Sequence, residues 1–224
     1  MVPATASAAT ATVQIEGEFG TLVPAQSWTI GSGASTDPGS GCPANTVSAA
    51  IEAVTAGNWD RQLFIETIKG ETHTFGAREE YWSLWQNNDY GNLGACSQTV
   101  SSGDHVLVQA TLSGPSPDWI PESKPVELIA PAVVDEGVPF NVTVKEWAPL
   151  TTNSMPVLPS VQSNGVGYVV SDGTATSTTT GSTGVATLTL TGVGNTTIKA
   201  TSTDPDNWGR SIDVPICVDD GFTC

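Results

Sequence analysis

Asn45-Thr46-Val47-Ser48-Ala49-Ala50-Ile51-Glu52-Ala53-Val54-Thr55-Ala56-Gly57 is the stretch of this chain that reads as a helix. Val47, Ala50, Ile51 and Val54 recur at the 3.6-residue spacing that gathers apolar side chains on one face. Asn45 or Thr46 offers a capping oxygen at the start, and Gly57 offers a stop. Strands surround this helix. Residues 11–16 (Ala-Thr-Val-Gln-Ile-Glu) alternate apolar and polar, the period of a half-buried strand. Residues 17–23 turn into a second short strand predicted to end at Pro24. Residues 32–41 have the composition of a loop, and residues 63–69 alternate again. An aromatic strand over 81–86 and a closing strand over 105–112 complete the unit. One helix across a sheet of about five strands is an α+β arrangement.

Beyond this unit the character of the chain changes. Residues 113–125 hold four prolines and almost no periodicity, which predicts a semi-rigid linker. Residues 126–224 contain no helical pattern. Short alternating segments at 126–130, 140–146, 166–170, 185–190, 196–201 and 212–218 are separated by Gly- and Asp-containing turns. Evenly spaced short strands over about 100 residues predict an immunoglobulin-like β-sandwich. The expected organisation is therefore a leader at 1–10, an α+β domain at 11–112, a linker at 113–125 and a sandwich at 126–224. The leader contains Ala6-Ser7-Ala8, which fits the small-residue pattern before a secretory cleavage site.

Charge excludes whole classes of partner. Seven Lys+Arg stand against 23 Asp+Glu, a formal net charge of −16. Phosphate binding depends on basic groups that release counterions, so a nucleic-acid partner is not expected, nor is docking on anionic lipid. No apolar run approaches the roughly 20 residues that span a bilayer, so membrane insertion is not expected either. Four cysteines without a C-x-x-C pair point to disulfides rather than zinc. Cys42 with Cys96 and Cys217 with Cys224 keep each bridge inside one expected domain. Disulfides, few lysines and abundant Thr and Gly together predict a secreted or cell-surface protein.

Several segments taken together are similar to known bacterial surface modules. Thr12–Gly17, the helix after Cys42, Tyr81-Trp82-Ser83-Leu84-Trp85-Gln86-Asn87-Asn88, Gly94-Ala95-Cys96 and Gly103-Asp104-His105-Val106 resemble a β-grasp-like domain. That domain is itself similar to the C-terminal β domain of transcobalamin and intrinsic factor. Asp172-Gly173, Gly184-Val185-Ala186-Thr187-Leu188, Thr197-Ile198-Lys199-Ala200 and Cys217-Val218 resemble bacterial Ig-like modules. In the vitamin carriers the β domain covers one face of a corrinoid, so the resemblance implies a small planar ligand as one possible partner. It implies no catalytic residue and no cofactor.

Candidate chemistry is sparse. Glu79 and Glu80 are adjacent on a strand and so point to opposite faces; they read as a solvated pair rather than an acid and nucleophile. His73 or His105 with Ser101, Ser102 and Asp104 supplies triad residue types, but no G-x-S-x-G elbow surrounds these serines. Asp204-Pro205-Asp206-Asn207-Trp208-Gly209 imitates the start of a calcium loop and lacks its bidentate Glu, so it reads as a turn. No metal site is expected. Trp82 and Trp85, three apart on a strand, are expected to face opposite sides, leaving one indole exposed beside Asn87 and Asn88. A flat apolar ring next to amides suits a carbohydrate or a planar ligand.

The sequence thus predicts a mainly β, non-enzymatic binding or adhesion protein, with Trp82, Trp85, Asn87 and Asn88 as contact residues. Two alternatives stand beside it. One is a corrinoid-like carrier. The other is a subunit of an extracellular polymer, self-assembled by adding residues 4–13 as a strand to a neighbour's sheet edge.

Overall fold

The computed structural model describes residues 9–32, 41–76, 79–91, 93–114, 120–152, 155–173 and 177–224, without the side chains of 150–159 and 177. Most of the leader, the body of the 32–41 loop, and Trp119 with the middle of the linker lie outside the described residues. The chain is mainly β and divides into two compact units, 1–110 and 111–224.

The first unit is built on β1 (Thr10–Glu16), β2 (Thr21–Thr29), α1 (Val47–Thr55), β3 (Thr67–Ile68), β4 (Glu71–Thr72), β5 (Glu80–Gln86), β6 (Asp89–Tyr90) and β7 (His105–Leu112). Five of these strands form one sheet in the order β2-β1-β7-β5-β6, and β3 pairs with β4 alone. β1 and β7 run parallel, with Val13 opposite Val106 and Ile15 opposite Val108. All four are fully buried, as are Val47, Ala49, Ala50 and Ile51 on α1, which packs against β1 and β2. A parallel pair requires a long crossover; here the segment carrying α1 and β3–β6 supplies it.

Local chemistry explains the helix ends. Thr46 stands at the N-cap, but its hydroxyl donates to Pro43 O instead of capping the helix. At the other end Ala56 adopts a left-handed φ of 52°, and Gly57 N–H closes back on Glu52 O. Glu52 then takes two hydrogen bonds from Arg61 and one from Trp59 Nε1. The Arg61 hydrogen bond holds the Glu52 carboxyl below its ordinary range.

One boundary differs from expectation. β2 runs through Pro24 rather than ending there, because β2 is the sheet edge and its outer ladder needs no proline N–H. The Cys42–Cys96 bridge ties the segment before α1 to the segment before β7.

The second unit contains β8 (Val126–Ile129), β9 (Val133–Asp135), β10 (Phe140–Thr152), β11 (Met155–Asn164), β12 (Tyr168–Ser171), β13 (Ser177–Thr179), β14 (Val185–Leu188), β15 (Gly194–Ser202) and β16 (Val214–Asp219). One sheet runs β11-β10-β14, with β8 also on β10, and the other runs β13-β12-β15-β16-β9. Leu128, Val142, Val144 and Leu188 from the first sheet share one buried cluster with Tyr168, Val170, Ile198, Ile216 and Val218 from the second. That is sandwich packing: two sheets burying their inner faces against each other.

The described ends of the 113–125 segment are bonded into this unit. Gly114 N–H donates to Ile120 O, Ser123 N–H donates to Thr111 Oγ1, and Trp208 N–H donates to Ser123 Oγ. Cys217 and Cys224 form the second bridge.

The two bridges close loops of very different length, with separations of 54 and 7 residues. Replacing Cys42 and Cys96 by serine should cost about 4 kcal/mol of unfolding free energy in a urea titration. The same change at Cys217 and Cys224 should cost about 2.5 kcal/mol.

Candidate functional site

The expected Trp–Asn patch does not form: Asn87 is exposed, but neither indole is. Trp82 is 6% exposed and Trp85 is 0% exposed. β5 has a strand on each side, and both of its faces are covered, so alternation brings neither indole to solvent. Trp85 Nε1–H donates to Ser83 Oγ at 2.9 Å and its ring meets Tyr90 edge-on at 5.2 Å. Trp82 Nε1–H donates to Glu66 O at 3.0 Å.

Asn87 and Asn88 have φ of 54° and 68° and connect Gln86 to Asp89, the two-residue turn with positive φ at both positions that hairpins favour. Asn87 Nδ2 donates to Asp104 Oδ1, and His105 N–H donates to Asn87 Oδ1. Asn87 thus pins the β5–β6 hairpin to the start of β7.

The triad residue types take other roles. Asp104 accepts from Gln86 Nε2, Asn87 Nδ2 and Ser101 N–H, a turn role. His105 lies on β7, where burial pushes its imidazole below its ordinary range. The 204–209 segment is a turn in which Asp204 Oδ1 accepts Asp206 N–H and Asn207 Nδ2 reaches Tyr168 Oη. Asp219 Oδ1 accepts the N–H groups of Gly221, Thr223 and Cys224, organising the small disulfide loop.

A different cluster lies in the first unit. His73, with its side chain 1% exposed, follows β4 and is held between two carboxylates. Nδ1 is 2.9 Å from Glu80 Oε2 at the start of β5, and Nε2 is 2.8 Å from Glu71 Oε1 on β4. An imidazolium satisfies both contacts with its two N–H donors. The Trp82 ring packs edge-on against the imidazole at 4.9 Å and fixes its plane. Glu18, from the β1–β2 turn, brings a third carboxylate, so that ligand atoms of Glu18, His73 and Glu80 all lie within 4.8 Å of one another.

Gly17 makes room for this arrangement. A Cβ there would stand 2.3 Å from Glu71 Oε2, so the carboxylate sits on bare backbone and accepts Glu18 N–H. The cluster borders a shallow pocket of about 390 Å³ lined by Glu18, Phe19, Leu22, Lys69, Glu71, Thr72 and His73, among others. Lys69 and Gly70, both at positive φ, form the β3–β4 turn at its rim, and Phe19 projects into solvent at 83% exposure.

The solvated-pair reading of Glu79 and Glu80 therefore fails for Glu80, which is buried against His73. The spacing Glu71-Thr72-His73 was the available signal, because residues two apart on an extended segment share a face.

Comparison of the chain with family models, with curated proteins and with solved structures gave no match.

Two measurements check these roles. Trp85→Ala should lower the unfolding free energy by about 3–5 kcal/mol, the loss of a buried aromatic, where an exposed contact residue would leave it unchanged. The Asp219 carboxyl is held below its ordinary range by the Thr223 and Cys224 backbone N–H groups. Its contribution is thus present above the ordinary carboxyl range and lost as pH falls through the lower folded value. Amide exchange at Thr223 and Cys224 should quicken across that acid step, and Asp219→Asn should remove the step.

Proposed function

We propose that this chain is a non-enzymatic, extracellular binding module whose first unit presents a carbohydrate-binding pocket and whose second unit is a spacer. In this reading the first unit is β-grasp-like and the second Ig-like. The helix laid on a sheet with a parallel central pair supports the former, and the two-sheet sandwich supports the latter. Two disulfides fit an oxidising compartment.

The observation that carries the reading is the pocket's lining. An exposed Phe19 ring stands with Glu18, Lys69, Glu71 and Thr72 around one depression. A flat apolar face flanked by hydrogen-bonding groups is what the faces and hydroxyls of a sugar ring require. Charged groups make up so much of the lining that a large planar ligand such as a corrinoid fits it less well. His73 engages carboxylates through both nitrogens, which supports a binding role over general-base chemistry.

The polymer alternative loses part of its segment. Thr10–Val13 already lie in β1, paired with β2 on one side, and from Thr12 with β7 on the other.

Titration calorimetry with a panel of neutral and amino-sugar oligosaccharides tests the proposal. Phe19→Ala should weaken binding of the recognised sugar on the order of tenfold, the equivalent of about 1.4 kcal/mol. The melting temperature should be unchanged, because the ring is exposed. Equal affinity in Phe19→Ala, or no binding across the panel, overturns the reading.

A further inference from the structure

We infer that Glu18, His73 and Glu80 form a binding site for a zinc-type divalent cation, with Glu71 as its orienting partner. The three ligands come from three separate segments: the β1–β2 turn, the residue after β4, and the start of β5. Nothing in chain connectivity forces them together, yet their ligand atoms converge within 4.8 Å.

The two sides of the imidazole have different work. Nε2 faces Glu71 Oε1 at 2.8 Å, while Nδ1 faces Glu80 Oε2 at 2.9 Å, the carboxylate that belongs to the convergent set. A metal-binding histidine characteristically donates its other N–H to a carboxylate, which fixes the ring and its tautomer. Glu71 is placed for that role and is itself held by Glu18 N–H over the side-chain-free surface of Gly17. An alanine at position 17 would displace it. Trp82 packs against the ring edge-on and limits its rotation.

Access and ligand type complete the case. The pocket lined by Glu18, Glu71 and His73 gives an entry path from solvent to an imidazole that is otherwise enclosed. One nitrogen and two carboxylates suit a first-row divalent ion such as Zn²⁺, whereas Ca²⁺ takes six to eight oxygens. Two ligand atoms on one tetrahedral zinc lie about 3.4 Å apart. The set therefore closes slightly on the ion, with Glu18 its half-buried member and His73 and Glu80 its buried ones. On binding, the proton held between Nδ1 and Glu80 Oε2 leaves to solvent, Nδ1 turns its lone pair to the cation, and Nε2–H stays on Glu71.

The inference shares its pocket with the carbohydrate reading but not its test, which needs no sugar. The chelator-treated chain is titrated with zinc chloride, and in parallel with manganese and calcium chloride, by calorimetry and thermal shift. Wild type should bind one zinc and melt several degrees higher at saturating metal. Glu18→Gln, a change at a turn, should fold and bind zinc at least tenfold more weakly.

A second readout needs no variant. The chain has two histidines, and an imidazole ¹⁵N spectrum should show zinc moving the Nδ1 resonance of His73 and leaving His105 in place. Absence of a zinc-dependent melting shift overturns the inference. So does equal zinc affinity in Glu18→Gln, or an unmoved His73 resonance at saturating zinc, which would leave the cluster as an imidazolium clamp.

Discussion

The parallel pairing of β1 with β7 is the constraint on which the first unit depends. It brings the unit's first and last strands together at the centre of the sheet, so everything between them must leave the sheet plane or join its edges. α1 leaves and covers one face. β5 and β6 extend the far side, and β2 forms the near edge. Because Val13, Ile15, Val106 and Val108 are opposed in register and fully buried, a one-residue slip of either strand would turn its two aliphatic side chains out of the core. The register also positions Gly17 and Glu18 immediately after β1, where they meet Glu71.

A chain of net charge −16 has reason to keep its carboxylates apart, and most of them are on the surface. The cluster around His73 does the opposite. Burying carboxylates costs several kcal/mol per ion unless hydrogen bonds or opposite charge offset it. The offsets include the imidazole between Glu71 and Glu80 and the backbone N–H of Glu18. Bare backbone at Gly17 makes the closest of these contacts possible. The second unit shows the same economy at Tyr168, where Asn207 and Glu146 satisfy a buried phenol. Burial, and then the Glu146 charge, push that phenol far above its ordinary range.

Much of the fold was legible because its signals are local. The helix over 47–55 follows from apolar spacing, and β7 matches the predicted 105–112 to the residue. β11 was not legible: Pro156 and Pro159 argue against a strand, and an edge position tolerates them. β9 and β13, three residues each, are too short to show a period. The site was less legible than the fold. Period-2 reasoning assigns one face of β5 to solvent, which holds for an edge strand and fails for one covered on both faces. The expected exposed indole is buried for that reason, whereas Glu80 is buried because His73 offers it a partner. Asn87 and Asn88 carry a familiar turn signature, and proximity to tryptophan gave it a second, unneeded meaning. Phe19 and Glu18 have no local pattern; only the approach of the β3–β4 hairpin gives them a role.

The central β1–β7 pair also sets how the first unit carries mechanical load. Tension applied through residue 10 at one end and residue 112 at the other draws the two parallel strands past each other along their length. The ladder from Thr12–Glu16 to His105–Gln109 is then loaded in shear, with its slanted bonds sharing the force at once rather than opening one after another. A hairpin pulled from its open end would unzip. Anchored at both ends, this unit would resist being pulled open most strongly along the axis of its own chain.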